Sequence, residues 1–264
     1  MRVLVTNDDG VHSEGLWVLV KELKNIGDVV TVAPDREQSA IGTAITHNQP
    51  LRVQKIRPVV PDIEAYGVQG TPGDCVILAT EKLVKGEIDI VVSGINHGAN
   101  LGTDVFISGT VGGALQGYLR GLPSMAISLP GTDTTRMINT AKVACNLVNR
   151  MYSSRVAGPI LLNLNLPDRR PDEIRGVKIT RLATESHENG VNEGHDGRRS
   201  YYWLARKRKP DRIHPEETDI WAVDNGYISL TPLQIYGDGA SIQKDQFCDD
   251  ILCASIISGL IQDF

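Results

Sequence analysis

Two adjacent carboxylates, Asp8 and Asp9, stand in TNDDG directly after the apolar run Val3-Leu4-Val5. Side by side they repel each other, and a divalent cation between them is the simplest remedy. Two later polar turns carry groups of the same kind. APDREQSA holds Ser39, and SGINHGANLG holds Asn96. Carboxylate, hydroxyl and amide oxygens are hard donors that favour Mg²⁺ or Mn²⁺ over zinc. Ser108-Gly109-Thr110 opens a small-residue helix. Its free N–H groups, positive dipole end and two hydroxyls suit a phosphate.

Each group has a plainer structural role open to it. Asp8 can cap the following helix and Ser39 can serve a turn. Asn96 and Asn100 can hold glycine-rich backbone, and Ser108 can be an ordinary helix cap. Their placement favours the chemical reading. TNDDG, APDREQS and SGINHGANLG each follow a strand-like run, and in a parallel sheet all three fall on one edge. That edge is where open α/β sheets bind ligands, at the switch in strand order. His97 is the one histidine inside these motifs. It reads either as an acid for a leaving alkoxide or as a solvent-facing loop residue.

The elements that must position these groups follow a βαβ pattern. A strand ends at the DDG turn, and Ser13-Glu14 starts a helix with Leu16, Leu19, Val20, Leu23 and Ile26 on one face. Val29 to Val32 is the second strand. Short strands are expected at Leu51-Arg52-Val53 and Tyr66-Gly67-Val68. Thr71-Pro72-Gly73-Asp74 is a helix start. Further strands are expected at Ile88 to Val92, Met125 to Ser128 and Ile160 to Leu164. Met137, Ala141, Ala144, Val148 and Met151 mark an amphipathic helix. The expected fold is a Rossmann-like, doubly wound, mostly parallel α/β sheet over residues 1–168. Residues 169–264 are expected to form a β-rich extension, with runs at Val177-Lys178-Ile179, Tyr201 to Leu204 and Tyr227 to Leu230. The charged stretch RKRKPDR (206–212) reads as a solvated hairpin tip between the last two, and a final helix is expected over about Asp245 to Leu260. Aromatics on a protruding hairpin suggest an oligomerisation arm.

The bulk numbers are those of a globular chain: 264 residues, 41% hydrophobic, 22% charged, net charge −5. That charge argues against a stable nucleic-acid partner. The beginning of the chain has no signal-peptide layout and no apolar run approaches about 18 residues, so a soluble cytoplasmic protein without membrane contact is expected. Cys75, Cys145, Cys248 and Cys253 lack zinc spacing and fall in apolar helical patterns, as reduced core thiols do. No GxGxxG follows the first strand, and GxxxxGK[ST] and GxSxG are missing. Nicotinamide enzymes, P-loop NTPases and α/β-hydrolases therefore lack support. Adjacent aspartates, rather than two spaced two apart, also separate the chain from the DxD aspartyl-phosphate phosphatases.

TNDDG, APDREQSA, GTPGDCV, SGINHGANLG, SGTVGGA and GYISLTPL, in that order, resemble the motifs of the SurE family over about residues 2–233. These are metal-dependent phosphatases acting on nucleoside 5′- and 3′-monophosphates, with short polyphosphate reported for some members. The resemblance implies a Rossmann-like core and a C-terminal portion exchanged between subunits of a homodimer, in some members paired into a homotetramer. It implies one divalent ion per subunit (Mg²⁺ or Mn²⁺, with Co²⁺ a further candidate) on the residues matching Asp8, Asp9, Ser39 and Asn96. It lends His97 no role.

The expected activity is hydrolysis of nucleoside monophosphates to nucleoside and phosphate, with metal-bound water as nucleophile. Asp8 and Asp9 are the expected catalytic residues, either of them handling the water. Asn96, Ser108, Gly109 and Thr110 are expected on the phosphate. Two alternatives stay open at this point: a phosphatase forming an aspartyl-phosphate, and a nucleotide sensor without turnover.

Overall fold

A computed structural model describes residues 1–153, 159–184, 187–208 and 213–234. The first half alternates strand and helix: β1 (Arg2–Thr6), α1 (Glu14–Leu23), β2 (Asp28–Pro34), β3 (Val53–Lys55), β4 (Glu64–Val68) and α2 (Pro72–Leu78). There follow β5 (Ile90–His97), a 3-10 turn (Gly102–Phe106), α3 (Gly109–Leu119), β6 (Ser124–Leu129), α4 (Thr134–Ser153) and β7 (Leu161–Asn165). The chain continues with β8 (Val177–Ile179), β9 (His187–His195), β10 (Ser200–Arg208), α5 (Asp219–Asp224) and β11 (Ile228–Pro232).

Nine strands form one sheet in the order β3-β4-β2-β1-β5-β6-β7-β11-β8. The ladder from β4 through β2, β1, β5 and β6 to β7 is parallel. β3 joins β4 and β11 joins β7 antiparallel. Successive strands first run outward from β1 on one side, and β5 then returns to its other flank. The strand order therefore switches between β1 and β5. Helices cover both faces: α1 packs on α4, and α2 on α3. Within β1, Val3 and Val5 enter the core beneath α1 and α4, while Leu4 enters the one beneath α2. All three are 0% exposed. Burial on both faces is why the strand reads as a continuous apolar run, and each such side chain gains about 1.5–3 kcal/mol on leaving water.

The helix starts form as the sequence implies. Ser13 caps α1, and Thr71 and Asp74 make a capping box at α2 with Pro72 in its first turn. α2 ends at Leu78, and a wider π turn over Ala79–Leu83 completes it. Asp74 does more than cap. Its carboxylate also accepts from the N–H and hydroxyl of Thr46, at 2.8 and 2.6 Å, which anchors the irregular 40s segment. Cys75 and Cys145 are buried free thiols; Cys248 and Cys253 lie outside the described residues.

Beyond residue 168 the chain both rejoins the sheet and leaves it. β8 and β11 extend the nine-stranded sheet, whereas β9 and β10 pair only with each other. This corrects the expected hairpin. β10 pairs with β9, a polar strand with glycines that shows no apolar alternation, and the turn lies at residues 196–199. There Asp196 accepts from the N–H groups of Arg198 and Arg199. Arg206 to Arg208 belong to the far end of β10, so the first three residues of RKRKPDR are strand rather than tip; residues 209–212 lie outside the described residues. The hairpin exposes Val191, Tyr201, Tyr202, Trp203 and Leu204. The expected helix at 245–260 lies outside the described residues. Among the described residues no helix is long and apolar enough to cross a membrane.

Candidate active site

The carboxyl ends of β1 and β5 flank the switch point, and a cleft of about 580 Å³ opens there. Asp8, Asp9, Ser39, Asn96 and Ser108 all line it, together with Glu37, His97 and Ile107. Three strand ends thus deliver the groups that the sequence places on one sheet edge.

The DDG turn is built by its neighbours. Asn7 is fully buried and donates through Nδ2 to the Gly10 carbonyl at 3.0 Å and to Ser13 Oγ at 2.8 Å. Gly10 has φ +97°, and a Cβ there would lie 3.1 Å from the Arg36 carbonyl carbon. Only glycine meets both demands. The second turn is tied to the first, because the Gln38 N–H donates to the Asp8 carbonyl at 2.7 Å.

Asp8 is 3% exposed and faces the start of α3. Its Oδ1 accepts from the Thr110 hydroxyl at 2.5 Å. Burial raises its carboxyl above the usual range, and the Thr110 hydroxyl and N–H oppose that rise. A Cβ on Gly109 would stand 2.8 Å from Asp8 Cβ, so glycine is what lets the helix end approach the carboxylate. Ser108 caps α3 by accepting from the Val111 N–H at 3.1 Å. The hydroxyl of Thr110, expected on a phosphate, is therefore turned to Asp8, and Thr110 is itself 0% exposed. Ser108 accepts with its oxygen and keeps its proton to donate.

Asp9 is half-buried. Burial and then the Asp8 charge push its carboxyl up to about 6, while the charge and N–H of His97 pull the other way. Its Oδ2 is buried without a hydrogen-bond partner. An orphaned carboxylate oxygen beside a second buried carboxylate suits a bound cation. The donor set accordingly fits a hard divalent ion. Among the described residues no three His, Cys, Asp or Glu side chains converge on a metal position. Further ligands would have to be neutral oxygens, of which Ser39 and Asn96 line the same cleft.

Asn96 reaches the cleft through an irregularity in β5. The β5–β6 register shifts between Ser93 and Asn96, at a cis Gly94–Ile95 peptide. Such bulges re-aim side chains at strand ends. Asn96 Nδ2 donates to the Gly98 carbonyl at 2.8 Å, leaving its amide oxygen as the free acceptor. Asn100 takes the structural role open to it. Its N–H donates to Asn165 Oδ1 and its Nδ2 to Ser128 Oγ, both at 2.8 Å, and Asn163 and Asn165 donate to its carbonyl. His97 is exposed at the cleft rim.

Four contributing residues carry no clear sequence signal. Glu37 lies inside APDREQSA and accepts the Ser39 hydroxyl at 2.7 Å; its carboxylate type within a motif was the available clue. Asn163 and Asn165 sit in an apolar strand, where buried amides stand out only in retrospect. Asp219 lies in a polar stretch with no pattern. Its fully buried carboxylate accepts from the N–H groups of Gly102, Ala183 and Ile220, at 2.7, 2.8 and 2.9 Å.

The family model described as "Survival protein SurE" matches residues 3–189. A "5'-nucleotidase SurE" of Dehalococcoides mccartyi (strain CBDB1) is 52% identical over 259 residues, covering 97% of each chain. The chain belongs to the SurE family. A second relative, from Moorella thermoacetica, also named 5'-nucleotidase SurE, is 43% identical over 246 residues, covering 93% of this chain and 94% of its own. The crystal structure of the SurE protein from Aquifex aeolicus superposes with a TM-score of 0.77 at 36% identity, covering 95% of this chain and 100% of that one.

Proposed function

We propose that this SurE-family chain is a divalent-metal-dependent nucleotidase, hydrolysing nucleoside 5′-monophosphates to nucleoside and phosphate. The observation that carries the reading is the Asp8–Asp9 pair, with an orphaned Asp9 oxygen at the topological switch point. The relatives named 5'-nucleotidase SurE support the substrate class. Nucleoside 3′-monophosphates and short polyphosphate belong to the same reading, as does a cytoplasmic homodimer or homotetramer built through the 169–264 segment.

Asp8, Asp9, Ser39 and Asn96 would hold one ion, with Mg²⁺ and Mn²⁺ suited to these donors and Co²⁺ a further candidate. When bound, the cation supplies positive charge to the phosphate and acidifies the attacking water. The protein's own groups do the rest. Asp8, fixed by Thr110, orients the water and takes its proton, or its neighbour Asp9 does so in its place. Ser108, Gly109 and Asn96 steady the phosphate through a hydroxyl, a helix-terminal N–H and an amide. Thr110 serves by holding Asp8. Water adds to phosphorus, the ester P–O bond breaks, and the nucleoside alkoxide leaves and takes up a proton. His97, exposed at the rim, would be the group to give that proton.

The test is a phosphate-release screen over nucleoside monophosphates, polyphosphate and sugar phosphates, metal-free and with Mg²⁺, Mn²⁺ or Co²⁺. Release from nucleotides only with metal is expected. Tight nucleotide binding without release under any condition would point to a sensor. Covalent phosphate on acid-quenched protein would point to an aspartyl-phosphate route.

A further inference from the structure

We infer that Glu37 is a positioning residue that turns the lone pairs of Ser39 toward the Asp8–Asp9 pair by taking the serine's proton side. The inference rests on the metal-dependent reading above. The motivating fact is a single hydrogen bond: Ser39 Oγ donates to Glu37 Oε1 at 2.7 Å. Both residues line the cleft that holds Asp8, Asp9 and Asn96.

A serine hydroxyl carries one proton and two lone pairs, and its rotor is free. Pointed at a cation, the proton repels it; pointed away, a lone pair coordinates. A neutral hydroxyl is thus a useful ligand only if something settles where its proton goes. A carboxylate settles it, since it only accepts. The charge-assisted bond also draws the proton outward and leaves more electron density on Oγ. The same logic operates where a carboxylate orients a metal-bound histidine through the histidine's other nitrogen.

Backbone geometry keeps Ser39 in place for this. The Gln38 N–H is pinned to the Asp8 carbonyl at 2.7 Å, and the Gly42 N–H to the Ile107 carbonyl at 2.9 Å. Between them Ala40 has φ +58°, a left-handed residue that closes the turn. The turn therefore hangs from β1 on one side and from the start of α3 on the other. Glu37 does not itself join the aspartates as a ligand, because no three acidic, His or Cys groups converge among the described residues. Its charge does reach both carboxyls, where it opposes ionisation. Without a compensating use, a third acid at this cleft would be a liability.

The experiment is a double-mutant cycle read as metal affinity. Calorimetric titration of the metal-free, full-length chain with Mn²⁺, and the visible absorption of bound Co²⁺, report coordination without requiring turnover. Folding of each variant is checked by circular dichroism. Glu37→Ala is expected to weaken Mn²⁺ binding about 10–100-fold, as loss of a ligand-orienting partner does. In a Ser39→Ala background the same change is expected to have little further effect, because the hydroxyl it orients is gone. Equal losses in both backgrounds would show Glu37 acting only through its charge and would overturn the inference. So would unchanged affinity in Glu37→Ala. Either result with wild-type nucleotide hydrolysis intact sinks the role of Glu37 alone. A wild-type protein that binds neither ion overturns this inference and the metal-dependent reading together.

Discussion

Thr110 donates its hydroxyl to Asp8 Oδ1 at 2.5 Å, across 102 residues of sequence. The bond joins the start of α3 to the end of β1 and decides which oxygen of Asp8 remains for a ligand. It favours the ionised carboxylate in a place where burial disfavours it. Removing it raises the carboxyl further. Thr110→Val keeps the side-chain shape and is expected to move the Asp8 titration to higher pH in the metal-free protein. It is also expected to weaken Mn²⁺ binding by roughly tenfold or more. NMR titration of labelled aspartates and calorimetry check the two parts, and an unmoved Asp8 signal would contradict the first.

Asp8→Asn and Asp9→Asn test the pair directly. Each replaces a charged oxygen with an amide of the same shape, so the fold is expected to persist. Nucleotide turnover is expected to fall by about 10²-fold or more, as when a preorganised charge is lost from a site. Phosphate release at saturating metal measures it. Near-normal turnover by a folded Asp8→Asn protein would sink the assignment.

The metal-free protein has a pH signature with a defined sign. Burial raises both Asp8 and Asp9 from the ordinary 3.8, Asp9 to about 6. The native state then holds protons that the unfolded chain has already released. Stability contributed by these protonated groups is present at low pH and declines as pH rises from about 4 to about 6. Divalent metal should therefore stabilise more at pH 7 than at pH 4. Asp9→Asn should flatten the decline by on the order of 1 kcal/mol, given the solvent around this half-buried group. Melting temperatures at a series of pH values, with and without Mg²⁺, read the difference. A stability that instead climbs across this window in the wild type relative to Asp9→Asn would contradict it.

Asp219 straps the C-terminal segment to the loop behind the cleft. Its carboxylate takes three backbone N–H groups, one of them Gly102 at the start of the turn that leads to Ile107 and Ser108. Asp219→Ala leaves those donors buried and unpaired. A loss of about 3–5 kcal/mol is expected, seen as a lower denaturation midpoint in urea. Asp219→Asn keeps an acceptor oxygen and should lose less. Equal stability of the alanine variant and the wild type would refute the strap.

Much of the sheet was legible because its strands are apolar on both faces and bounded by polar turns. Val3 to Val5, Val29 to Val32 and Ile88 to Val92 announce themselves that way, and the Ser13 and Thr71 caps mark helix starts by residue type alone. β9 was not legible. Its sequence, HENGVNEGH, packs against no core, so burial imprints no alternation on it. The hairpin turn at 196–199 was missed with it, since a turn is recognised only between two known strands.

The candidate site divides along the same line. Residue types and local order were enough to name Asp8, Asp9, Ser39 and Asn96 as hard oxygen donors at strand ends. A parallel sheet sends every strand end to one edge, so that convergence follows from local pattern. Hydrogen-bond partners far apart in sequence do not. That Thr110 turns to Asp8 rather than outward, that Asn100 spends its amide on Ser128, and that Asp219 reaches back to Gly102 depend on how the layers pack. A polar side chain in the sequence shows what it can bond, while burial in the folded chain selects which partner it must find.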